Sequence, residues 1–108
     1  MRKKIVAGNW KMHKNAEQTQ DLLNELIAKI PAETDAQVIV APTFVNLASA
    51  VDHLELTSIS VAAQNMHQAE SGAYTGEISA DMLTSVGVKT VIDPHFRAFA
   101  VKMIIVKP

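Results

Sequence analysis

The groups able to do chemistry in this chain stand in short polar breaks that follow apolar runs. Asn9 and Lys11 come after residues 4–8, Gln64 and Asn65 after residues 58–63, and His95 after residues 89–92. An amide can donate and accept hydrogen bonds, and an ammonium carries a positive charge. An imidazole can donate one N–H to a developing negative charge once its tautomer and aim are fixed. Read without context, the same residues are ordinary turn asparagines, solvated lysine and a surface histidine. His13, His53 and His67 stand at no metal-ligand spacing from one another or from a carboxylate, and there is no cysteine, so neither a metal nor a disulfide framework is expected. Asp93 and Glu77 are carboxylates, but no pattern aims either at a substrate carbon. The 4 glycines fall at positions 8, 72, 76 and 87, so no glycine-rich phosphate cradle follows the fourth apolar run. No cofactor motif is present, and none is expected.

The elements that must position these groups alternate. Residues 4–8 read as a strand stopped by Gly8-Asn9. Asn15 with Gln18 three residues later forms a capping box. Leu22, Leu23, Leu26, Ile27 and Ile30 continue from it at helical spacing until Pro31. Residues 37–41 are a second strand, apolar enough to be parallel and covered. Pro42-Thr43 opens a short helix to about His53, and residues 58–63 are a third strand. The polar stretch 64–78 is long for a connection, which more often marks function than filler. Ser79 caps a third helix that ends at Gly87, and residues 89–92 form a fourth strand before Pro94. The order predicts one α/β domain over 1–108 with a parallel sheet of four strands and right-handed crossovers. Residues 100–106, apolar and β-rich, are expected to add a tail strand.

Composition excludes several classes of function. The chain has 108 residues, a formal net charge of −1, 48% hydrophobic residues and 19% charged. That balance fits a cytoplasmic globular domain and offers no basic stripe for nucleic acid. No apolar run approaches the length of a membrane span, and Ile5-Val6-Ala7 is too short for a signal-peptide core. Neither nucleic acid nor membrane is an expected partner.

Gly8-Asn9-Trp10-Lys11-Met12 resembles the opening motif of the triosephosphate isomerase family. The resemblance continues at Ala41-Pro42-Thr43, at Ala63-Gln64-Asn65, and at Gly72-Ala73-Tyr74-Thr75-Gly76-Glu77-Ile78-Ser79. It reaches Gly87-Val88-Lys89-Thr90-Val91-Ile92 and covers residues 3–92 without a gap. The order of several motifs makes it specific.

The resemblance implies part of a barrel in which a carboxylate, a neutral histidine and a phosphate site interconvert dihydroxyacetone phosphate and glyceraldehyde 3-phosphate in glycolysis. It implies that Asn9 binds substrate and that Lys11 sets its ammonium beside the phosphate and the developing oxyanion. His95 takes the electrophile's place but is expected to be vestigial. Pro94, Phe96 and Arg97 stand where the family has glycine, serine and glutamate. Gln64 and Asn65 would support the site and the subunit contact, or simply serve their turn. Tyr74, Thr75, Gly76 and Glu77 would dock into a neighbouring subunit, or form a surface loop.

Past Ile92 the family pattern Leu-Gly-His-Ser-Glu-Arg-Arg gives way to Asp93-Pro94-His95-Phe96-Arg97-Ala98-Phe99. One inserted nucleotide would convert codons for His-Ser-Glu-Arg into His-Phe-Arg-Ala, so a reading-frame change from Phe96 onward is one hypothesis. A full (β/α)₈ barrel takes about 250 residues. The expectation is therefore a truncated family member, inactive alone, with a bare inner face and open sheet edges. Such a chain would self-associate, as a dimer in the simplest case. It would do so by exchanging an element or by opening into a Rossmann-like sheet. A small α/β module that self-associates or binds phosphate or sulfate, without catalysis, is the alternative.

Overall fold

The computed structural model describes residues 4–92 and the backbone strand 103–105. Strand β1 (Lys4–Asn9) leads to helix α1 (Ala16–Lys29), and strand β2 (Ala36–Ala41) to a 3-10 turn (Phe44–Asn46) that runs into α2 (Leu47–His53). Strand β3 (Ser60–Val61), helix α3 (Ala80–Ser85), strand β4 (Thr90–Ile92) and strand β5 (Met103–Ile105) follow. Strands β1, β2 and β3 pair in parallel in sequential order, with Val6 opposite Val38, Ala7 opposite Ile39 and Val40 opposite Val61.

Local chemistry accounts for the helix ends. At α1 the Asn15 side chain accepts from the Gln18 N–H (2.9 Å), and the Gln18 side chain accepts from the Asn15 N–H (3.0 Å). At the end of α3, Gly87 takes a left-handed φ of 91°. Its N–H donates to the Thr84 carbonyl (3.0 Å) while Val88 N–H donates to that of Leu83 (3.0 Å). These two bonds make a Schellman closure, and Leu83 and Val88 seal it in one buried cluster.

Two expectations need correction. The regular parallel ladder has three strands rather than four, and β3 is only two residues long. Just before β3, the Thr57 hydroxyl accepts the Ile59 N–H at 3.2 Å. Strand β4 joins through a single parallel bridge between Ala63 and Val91: Ala63 N–H donates to Thr90 (2.9 Å) and Ile92 N–H to Ala63 (2.8 Å). The tail does supply a strand, β5, running antiparallel to β4.

The second correction concerns the face away from the helices. Alternation along β2 sends Val38 and Val40 toward Leu23 of α1 and Ala50 and Leu54 at α2. Leu47, Leu83 and Val88 cover Ala63 and Val91 on that same face. On the opposite face, expected to lie bare, Ile39, Ala41, Ala62 and Ile92 form a buried cluster. Exposure falls instead on β1, which among the described residues pairs only with β2: Ile5 is 55% exposed and Val6 58%.

Candidate functional site

The site lies past the C-terminal ends of β1, β2 and β3, where strand ends of a parallel α/β unit gather loop residues. Asn9, the last residue of β1, is exposed, and its side-chain oxygen accepts the Lys11 N–H at 2.9 Å. That Asx turn leaves the Asn9 amide hydrogens as its donors toward solvent. Lys11 is exposed and holds a left-handed φ of 52°, a conformation lysine seldom adopts.

Gln64, just beyond β3, explains how the loop is held. Its Nε2 donates to the carbonyl of Lys11 at 2.8 Å and to that of Ala41 at 2.9 Å. One carboxamide therefore ties the ends of three strands together. Trp10 N–H donates to the same Ala41 oxygen at 3.2 Å and adds a second link between the β1 and β2 ends. Asn9, Lys11 and Gln64 thus converge. Asn65 is exposed beside them.

The long loop before α3 forms a second, separate group. The His67 and Tyr74 rings lie 4.4 Å apart at 32°. His67 N–H donates to the Ile78 carbonyl (2.7 Å), and its Nδ1 accepts from Ala69 N–H (3.0 Å). Residues 74–77 turn tightly, with Glu77 N–H donating to Tyr74 (3.0 Å) and Gly76 at a φ of 88°. Tyr74, Thr75, Gly76 and Glu77 are all exposed. Among the described residues no hydrogen bond links this turn to the Asn9–Lys11 loop. His95 lies outside the described residues, as do the other residues of 93–102.

The sequence reading missed Asn46. It is 1% exposed, and its Nδ2 donates to the Lys14 carbonyl (3.1 Å) and to Thr43 Oγ1 (3.1 Å). A signal existed: an amide four residues before Ala50 falls on the apolar side of α2, where a polar group must find partners. Among the described residues no cluster of three His, Cys, Asp or Glu side chains could hold a metal ion. No described helix is long and apolar enough to cross a membrane.

Parallel strands wound in sequence, helices on one face and polar side chains past the strand ends define a segment of a (β/α) barrel. The pattern described as triosephosphate isomerase matches residues 4–96, four residues beyond the limit the motifs suggested. The chain is 76% identical over 95 residues to a triosephosphate isomerase of Flavobacterium johnsoniae and 73% identical over 95 residues to one of Flavobacterium psychrophilum. It is 47% identical over 96 residues to one of Porphyromonas gingivalis. Each match covers 88% of this chain and 38% of the relative. The chain belongs to the triosephosphate isomerase family, and it spans 38% of the length of these curated relatives.

Proposed function

We propose that this chain carries the first-strand portion of a triose phosphate isomerising site, with Asn9 as a substrate ligand and Lys11 as the cation for the phosphate and the enediolate oxygen. The observation behind this reading is the left-handed Lys11 loop, locked by Gln64 at the strand ends. Costly backbone conformations persist where the surroundings impose them, and they cluster at working sites. His95 is the histidine that the family motif offers, vestigial beside Pro94 and Phe96. These 108 residues do not turn over substrate by themselves, since among the described residues no carboxylate is hydrogen-bonded into the Asn9–Lys11 loop. Inorganic phosphate or sulfate remains a ligand for Lys11.

The chain acts in the cytoplasm as a self-associating unit, a dimer in the simplest case. Gln64, Asn65 and residues 74–77 form its contact surface. Exposed apolar residues support this: Met12 is 91% exposed, Val6 58%, Ile5 55% and Tyr74 53%. Helices placed on one face favour exchange of an element between copies over opening into a Rossmann-like sheet. The divergence after His95 is the product of a reading-frame change. Coding DNA with no family match in another frame would end that part of the reading.

A coupled isomerase assay at high protein concentration tests the inactivity. Turnover that disappears on Lys11→Met would show a working enzyme and overturn it. Sedimentation across micromolar concentrations tests the assembly, which an unvarying compact monomer would refute.

A further inference from the structure

Two non-glycine residues among those described have left-handed backbone, Lys11 at φ 52° and Lys14 at φ 79°. They bracket the exposed pair Met12-His13, and each costs about 1–2 kcal/mol relative to ordinary helical or extended backbone. Each also has its carbonyl captured by a side-chain amide. Gln64 Nε2 holds Lys11 O at 2.8 Å, and Asn46 Nδ2 holds Lys14 O at 3.1 Å. The loop is therefore clamped at both ends by residues distant in sequence. Its far end passes into the Asn15–Gln18 capping box, which starts α1 rigidly. The φ of Lys14 consequently sets the direction in which the loop enters the helix.

Asn46 is an expensive residue for a purely structural post. Its amide nitrogen uses both hydrogens, on Lys14 O and Thr43 Oγ1, whereas its buried Oδ1 accepts nothing among the described residues. An unmet buried acceptor costs roughly 1–3 kcal/mol. Reversing the amide would set that oxygen against the Lys14 carbonyl, so the orientation is forced. What the side chain supplies is donation to Lys14.

We propose that Asn46 is a positioning residue. By fixing the Lys14 carbonyl it keeps the loop left-handed at its far end and so aims the Lys11 ammonium. The role rests on reading Lys11 as an anion-binding group, and the test separates the two.

The isotope-labelled 108-residue chain is titrated with inorganic phosphate by NMR, following Lys11, and φ-sensitive couplings are read at Lys11 and Lys14. Asn46→Ala should weaken phosphate binding about tenfold, the scale on which outer-shell partners tune a bound group, and should abolish the left-handed couplings. Thr43→Ala, which leaves the Lys14 contact in place, should preserve both. Unchanged affinity and couplings in folded Asn46→Ala, with only the melting temperature lowered, would overturn the role.

Should Asn46→Ala not fold, exposed Lys14 offers a second route. Lys14→Asn and Lys14→Val remove the same charge but differ in tolerance for positive φ. Weaker phosphate binding by the valine variant supports the proposal, and equal binding overturns it. If the parent chain binds no phosphate, the reading of Lys11 falls. The couplings then decide Asn46 alone: their loss in Asn46→Ala supports the clamp, and their retention ends it.

Discussion

The side-chain amide of Gln64 lies 2.8 Å from the main-chain carbonyl of Lys11 and joins residues 53 positions apart. The same nitrogen reaches Ala41 O at 2.9 Å, so the chain's first loop is fastened to its second and third strands by one group. Gln64→Glu keeps the shape and replaces both donors with acceptors facing two carbonyls. The expected loss is about 1–3 kcal/mol in urea unfolding, since two bonds vanish, one exposed and one part-buried, while Trp10 N–H still serves Ala41 O. The Lys11 amide resonance should move further than any outside the loop. Gln64→Ala, which brings no repulsion, should cost less.

Gly72 faces the Tyr74 ring. A Cβ there would approach ring atoms at 2.9 and 3.1 Å, on a backbone with φ 138°. Gly72→Ala is expected to lift Tyr74 off His67, seen as loss of ring-to-ring nuclear Overhauser contacts. Self-association through residues 74–77 should weaken in sedimentation, while the β1–β2 core keeps its stability.

Gly87 has two reasons to be glycine. Its φ is 91°, and an added Cβ would sit 2.9 Å from Val51 Cγ1. Gly87→Ala is therefore expected to destabilise by more than ~1 kcal/mol. Thermal or urea unfolding measures the loss, and proton exchange should quicken first at Val88, whose N–H closes the Schellman motif.

Thr19 is fully buried in α1, and its hydroxyl has no partner among the described residues. Thr19→Val replaces that hydroxyl with a methyl of the same shape and so removes a desolvated polar atom at little cost to packing. Stability should rise by about 1 kcal/mol, read as a higher urea midpoint with unchanged slope.

Val6 lies 58% exposed on the edge strand. Val6→Lys places a charge where a second copy would add a strand, a device that natural edges use against pairing. Association through the β1 edge should fall by an order of magnitude or more in sedimentation, whereas a dimer held by residues 74–77 should persist, with the monomer's circular dichroism unchanged.

Much of the fold was legible because local chemistry agreed with the tertiary outcome. The capping box at Asn15, the Ser79 cap and the Gly87 stop each come from side chains acting on nearby backbone. The short β3 was not legible, since the apolar run 58–63 reads as a strand throughout, whereas only Ser60 and Val61 form it. Nor did β-rich composition reveal that β5 runs antiparallel. At the site, the motifs placed Asn9, Lys11 and Gln64 together. The role of Gln64 as a tie, and that of Asn46 altogether, depend on contacts 53 and 32 residues apart, which no local pattern encodes.

Register in a sheet is enforced when one face of a strand is buried and the other is not. Along the first half of β1 that bias is absent, because Ile5 and Val6 are bared to nearly the same degree. A one-residue slip there would exchange equivalent surfaces at almost no hydrophobic penalty. Alignment of β1 with β2 therefore depends heavily on its far end, where Trp10 N–H and Gln64 Nε2 donate to Ala41 O and Gln64 also holds Lys11 O. The loop that presents the lysine doubles as the index mark of the sheet, and damage to one should be felt as sliding in the other.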